Sequence, residues 1–190
     1  MPWIRRLPNA LTLARLAALP VLAVILARAE GPTSGPAGWL FAAVALTDFV
    51  DGRLARALGA ETRFGQIADP LADRLLMAVG LAGLIALDRI LWVGPAVVLA
   101  RDALSMLAFA WYARRGVLLR VDAAGKTSSA VAMVATALAL IVEATWVDGV
   151  FWAAVAGSVL TLLNYARTVR SHHLAAAAGT GAPTRTSTGA

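Results

Sequence analysis

Long apolar stretches dominate this chain. Runs at residues 9–26, 38–58, 65–87, 90–113, 126–145 and 149–169 consist mainly of Leu, Ala, Val and Ile. A helix needs about 20 such residues to cross the hydrocarbon core of a bilayer. No alternation of apolar and polar positions competes with these runs, so the pattern predicts helices and no strands. The predicted fold is all-α, a polytopic membrane protein with six transmembrane helices. Polar or turn-forming segments separate the runs: the loop from Glu30 through Gly31, Pro32 and Ser34 to Pro36, residues 59–63, Asp88-Arg89, residues 114–125, and Trp146-Val147-Asp148. From Ser171 onward the chain is Ala, Gly, Thr and Ser with little else, which predicts a disordered tail at 171–190 behind a membrane domain at 1–170.

Composition supports the membrane reading. The chain is 59% hydrophobic and 15% charged, against about 25% charged in an average soluble domain. So few charges cannot solvate the surface of a soluble helical bundle. The net charge of +6 sits between apolar spans, which points to a membrane surface and not to nucleic acid. With six spans, Arg28 and Arg89 fall on one side. Arg5, Arg6, Arg53, Arg56, Arg63, Arg114, Arg115, Arg120, Lys126, Arg167, Arg170 and Arg185 fall on the other. Lys and Arg concentrate in the cytoplasm, so both termini are expected there, in an inner (plasma) membrane protein. Arg5-Arg6, the first run and Ala27-Arg28-Ala29 imitate a secretory signal, but the run is long for one, and Trp3 with the two arginines reads as an interfacial stretch. Trp39, Trp92, Trp111, Trp146 and Trp152 are expected interface anchors. The chain has no cysteine, which excludes disulfides and thiolate metal sites.

Four aspartates interrupt the second and third runs: Asp48, Asp51, Asp69 and Asp73. A charge near the bilayer centre costs about 2.5–3.5 kcal/mol on insertion scales, so four carboxylates in one hairpin need partners. Asp48 and Asp51 are three apart and Asp69 and Asp73 four apart, so each pair shares a helix face. Both pairs lie roughly 10–15 Å inside the cytoplasmic end at 1.5 Å per residue, so an antiparallel hairpin brings all four together. Oxygen-only donors select a hard cation, Mg²⁺ or Mn²⁺, and two ions are expected. Gly52 and Gly65 leave backbone bare for a ligand. Arg56, one turn from Asp51 and Gly52, suits bidentate contact with phosphate. Two metals, an arginine and bare backbone describe a diphosphate site. An ion or proton pathway of a transporter is the alternative for intramembrane acids, but it does not require Gly52, Ala55, Arg56 and Gly65 at these spacings.

These residues carry a resemblance. The segment Asp48-x-x-Asp51-Gly52-x-x-Ala55-Arg56, eight residues, then Gly65-x-x-x-Asp69-x-x-x-Asp73 is similar to the signature of the CDP-alcohol phosphatidyltransferases at every fixed position. Residues Pro8-Asn9-Ala10-Leu11-Thr12-Leu13-Ala14-Arg15 resemble the opening motif of that family's bacterial phosphatidylglycerophosphate synthases and related cardiolipin synthases. Asp69-Pro70-Leu71-Ala72-Asp73-Arg74 resembles a further element of the same branch, with Arg for Lys. Gly125-Lys126-Thr127 resembles another, in which serine replaces a second lysine.

The resemblance implies a phosphatidyl transfer from CDP-diacylglycerol to a small alcohol, with release of CMP at a cytoplasm-facing site. It implies that Asp48, Asp51 and Asp69 hold metal and that Asp73 is shared between metal binding and catalysis as general base. It implies contacts to the CDP moiety from Asn9, Thr12, Gly52, Arg56 and Thr62, with Gly65 beside them. It also implies a homodimer. Arg101, deep in the fourth run, is expected either to pair with a carboxylate or to capture an anionic acceptor with Lys126 and Arg167. Glycerol 3-phosphate is the expected acceptor from the opening motif, phosphatidylglycerol the next, and a phosphorylated inositol the third.

Overall fold

A computed structural model describes residues 7–57, 63–114 and 123–179. Among these residues the chain forms six helices and no strand: α1 (Leu7–Ala27), α2 (Gly35–Ala57), α3 (Arg63–Ala86), α4 (Val93–Arg114), α5 (Ala123–Ile141) and α6 (Thr145–Gly179). Each begins or ends within a few residues of a predicted run, with one exception. α6 continues to Gly179, so residues 171–179 are helix where a disordered tail was expected. The reason is local: Leu174 and the run Ala175–Ala178 are among the strongest helix formers. α3 runs continuously through Pro70.

The turns follow local chemistry. α3 ends in a six-residue loop closure: the Arg89 N–H donates to the Leu84 carbonyl at 3.0 Å and the Asp88 N–H to the Ile85 carbonyl at 3.0 Å. Asp88 takes a φ of 50° there, a left-handed position that Asp tolerates better than most residues. Arg89 is then directed at α6, where Nη1 meets Asp148 Oδ1 at 2.6 Å. At the same end of the bundle the Ser34 N–H donates to the Leu140 carbonyl at 2.8 Å, tying the start of α2 to the end of α5.

The core is built from Leu22, Leu26, Phe41, Leu76, Leu81, Leu84, Val98, Leu140, Val147 and Phe151, each 5% exposed or less. Large apolar side chains also point outward, among them Leu13, Leu46, Leu91, Leu107 and Leu160. Trp39, Trp92 and Trp146 are exposed at the starts of α2, α4 and α6. Within the described residues, Thr145–Leu163 of α6 is long and apolar enough to cross a membrane, while the apolar parts Thr12–Ala27, Gly35–Val50 and Thr127–Ile141 are shorter. Charged residues interrupt these and the other helices: Arg15 in α1, Asp48 in α2, Asp69, Asp73 and Arg74 in α3, and Arg101 and Asp102 in α4.

One packing feature positions the site. Among the described residues, α1 packs extensively against both α2 and α3, more than α2 packs on α3. Within that description, α1 thus touches both helices that carry the acids. α5 packs on α6, α2 and α3, and α4 on α6 and α3.

Candidate active site

The acids meet on α1. Thr12 and Arg15 are three residues apart, so they share a helix face. That face is buried: Thr12 is 1% and Arg15 6% exposed. The Thr12 hydroxyl donates to Asp69 Oδ1 at 2.6 Å. The Arg15 guanidinium forms an ion pair with Asp48 through Nη2, and its Nη1 lies 4.0 Å from Asp69 Oδ1. One short stretch of α1 therefore holds a carboxylate from α2 and another from α3. The three helices reach this level together: Arg15, Asp48 and Asp69 all lie about 18–25 Å along their helices from the Ser34–Leu140 end at 1.5 Å per residue.

Asp73, one turn past Asp69, is half-buried and within electrostatic reach of Asp48, Arg74, Asp102 and Arg15. It belongs to the same polar cluster. Asp102 in turn binds Arg101: Arg101 Nη1 lies 2.7 Å from Asp102 Oδ1 and 2.7 Å from Ser129 Oγ on α5. Arg101 is 4% exposed. The partner carboxylate that was one expectation for Arg101 is thus present, supplied by its chain neighbour.

Several expected site residues sit on helices without described side chains: Asn9 on α1, Asp51, Gly52 and Arg56 on α2, Gly65 on α3, Lys126 on α5 and Arg167 on α6. Thr62 lies outside the described residues. Among the described residues no three acids or histidines form a cation-binding group; Asp51, an expected ligand, is outside that comparison. The donor chemistry nevertheless fits a hard divalent cation. Asp48 and Asp69 present carboxylate oxygens from two helices to one cationic group, the guanidinium of Arg15, and no thiolate competes because the chain has no cysteine.

Arg15 and Asp102 are the site residues that sequence reasoning did not single out. Arg15 stood in the opening motif, and the signal available for it was the same as for the acids, a charge inside an apolar run. Asp102 carried that signal too.

The chain matches the CDP-alcohol phosphatidyltransferase family over residues 5–183. It is 38% identical over 119 residues to a probable phosphatidylglycerophosphate synthase of Mycobacterium tuberculosis, covering 60% of this chain and 56% of that protein. It is 33% identical over 112 residues to a CDP-diacylglycerol–glycerol-3-phosphate 3-phosphatidyltransferase of Pseudomonas fluorescens, covering 58% and 57%. It is 36% identical over 116 residues to a CMP-forming cardiolipin synthase of Streptomyces coelicolor, covering 58% and 53%. The chain spans about half the length of the curated relatives it matches. With the signature acids carried on α2 and α3 and nearly the whole chain matched, this protein belongs to the CDP-alcohol phosphatidyltransferase family.

Proposed function

We propose that this protein transfers the phosphatidyl group of CDP-diacylglycerol to glycerol 3-phosphate and releases CMP. The observation that carries the reading is the convergence of Asp48 and Asp69, two signature acids from separate helices, on a single buried cation of α1. The relatives named for glycerol 3-phosphate transfer support the acceptor.

In the reaction, a hydroxyl oxygen of the acceptor forms a bond to the phosphatidyl phosphorus. The bond from that phosphorus to the bridging diphosphate oxygen breaks, and CMP leaves with the electron pair. Asp48, Asp51, Asp69 and Asp73 would hold Mg²⁺ or Mn²⁺, which supplies charge neutralisation for the diphosphate and the leaving group. Asp73 orients the acceptor hydroxyl and takes its proton. Arg56 and the bare backbone at Gly52 and Gly65 bind the diphosphate, and Asn9, Thr12 and Thr62 border the cytidine side. Thr12 acts there through Asp69, whose carboxylate it fixes. Lys126, Arg167 and Arg101 supply positive charge for the acceptor phosphate, with Arg101 oriented by Asp102 and Ser129. The six helices span the membrane with both termini and the acids toward the cytoplasm, in a homodimer whose diacyl substrate stays in the lipid.

A second reading keeps the donor and takes phosphatidylglycerol as acceptor, giving cardiolipin; the Streptomyces coelicolor relative favours it. Purified protein given CDP-diacylglycerol, Mg²⁺ or Mn²⁺ and each acceptor in turn separates the two by the mass of the lipid product. Phosphatidylglycerophosphate is the expected product. Activity is expected to vanish with a chelator and return with either ion, and full turnover in excess chelator would refute the metal-assisted scheme.

A further inference from the structure

We propose that Arg15 is the resident counter-ion of the acid cluster, a positioning residue that holds Asp48 and Asp69 together and competes with a divalent cation for them. The proposal rests on the reading of these acids as metal ligands.

The argument begins with burial. The Arg15 side chain is 5% exposed, while those of Asp48 and Asp69 are 29% and 45% exposed. A guanidinium stays protonated in any protein environment, so a buried one must find carboxylates or carry a heavy desolvation cost. Arg15 finds Asp48 with one arm of its fork. The other arm, Nη1, is buried without a hydrogen-bond acceptor and faces Asp69 at 4.0 Å. That second arm is held by charge alone.

Asp69 does not depend on the arginine for its orientation, because Thr12 donates to the same Oδ1 at 2.6 Å. The two α1 residues thus divide the work. Thr12 fixes Asp69 with a neutral hydrogen bond, and Arg15 supplies the positive charge that lets two carboxylates from α2 and α3 stand near each other. Among the described residues, α1 is the element on which Asp48 of α2 and Asp69 of α3 both meet a partner.

A divalent cation drawn to these carboxylates seeks the charge that Arg15 already neutralises. A fixed positive charge this close also repels an incoming cation in a medium of low effective dielectric. Removing the guanidinium should therefore leave the carboxylates hungrier for metal, with Thr12 still holding Asp69.

The test uses the full chain purified in detergent, with free Mn²⁺ followed by its paramagnetic resonance signal during titration. Wild type, Arg15→Gln, Arg15→Lys and Asp69→Asn are compared, and thermal unfolding is recorded in chelator and in saturating Mn²⁺. Arg15→Gln is expected to bind Mn²⁺ about tenfold tighter or more, the size of effect that one nearby charge exerts on an ionic equilibrium in a partly buried site. Its melting temperature should fall in chelator and recover toward wild type in Mn²⁺, as the ion takes over neutralisation. Arg15→Lys keeps the charge and should bind Mn²⁺ as wild type does. Unchanged or weaker Mn²⁺ affinity in Arg15→Gln overturns the proposal. So does an Arg15→Gln protein that is equally unstable with and without Mn²⁺. If wild type shows no Mn²⁺ binding that Asp69→Asn weakens, the metal-site reading has failed and this proposal falls with it. The wild-type and Asp69→Asn titrations therefore report on the site, and the Arg15 variants report on the counter-ion.

Discussion

Asp73 sits four residues beyond Asp69 on α3, one helical turn further from the α2–α3 connection and from the residues assigned to the cytidine side. That position favours the incoming hydroxyl over the donor. Asp73→Asn is expected to lower turnover by roughly 10²–10⁴-fold, the usual worth of a general base, and by more if a metal ligand is lost as well. Donor affinity should largely survive, because an amide still offers one oxygen but cannot accept the proton at neutral pH. Asp48→Asn should instead weaken metal and nucleotide binding together. Kinetics paired with CDP-diacylglycerol binding titrations check the separation, and equal loss of donor binding in both variants would remove the case for Asp73 as base. Arg15 shows how residue-scale chemistry depends on partners: in the sequence it is an isolated charge, and in the fold it is the group on which two signature acids converge.

At the scale of elements, closeness of approach decides what each helix tolerates. Gly80 lies where α3 meets α2 and α5: a Cβ there would stand 2.5 Å from Phe41 Cε2, 2.9 Å from Phe41 Cδ2 and 3.1 Å from Thr136 Cγ2. Phe41 and Thr136 are themselves fully buried, so neither side chain has room to withdraw. Gly80→Val is expected to destabilise the protein by about 1–3 kcal/mol, the typical cost of overpacking. A melting temperature equal to wild type in the same detergent would show that the helices can separate there. The far end of α6 behaves differently. Residues 171–179 continue the helix, yet they carry no apolar period and no motif. Truncation after Leu174 should leave phosphatidyl transfer nearly unchanged, and a large loss in the same assay would show that this extension binds something.

For the whole molecule, the arrangement of charge is the strongest constraint. Arg89 and Asp148 pair at 2.6 Å, at the bundle end that carries the exposed Trp39, Trp92 and Trp146; the acid cluster lies well along the helices from that end. Exposed indoles at one end, with the Lys and Arg distribution of the sequence, support the proposed orientation in a membrane. The absence of native cysteine allows a direct test. Glu30→Cys is expected to react with an impermeant thiol reagent from outside the cell, and Arg120→Cys only after the membrane is opened. External labelling at position 120 would reverse the topology.

Much of this was legible in the residues. Apolar runs of spanning length announced the helices, because burying backbone hydrogen bonds in an apolar setting leaves few alternatives. The signature acids announced the family and the candidate site, because charge in such a run is costly and is retained for a purpose. α6 runs past the expected boundary, since a tail of Ala, Gly, Thr and Ser suggested disorder while the alanines within it favour helix. What only the tertiary structure decided is which helix gathers the acids. Spacing along α2 and α3 shows which carboxylates share a face but is silent about a third helix that packs against both. Arg15 joined the acids, and Thr12 found its partner Asp69, through packing of α1 against both neighbours, a long-range contact that no local pattern encodes. The same holds for Asp102, whose role depends on α4 lying beside α3, and for Arg101, whose carboxylate partner was foreseen as a type but identified only in the folded chain.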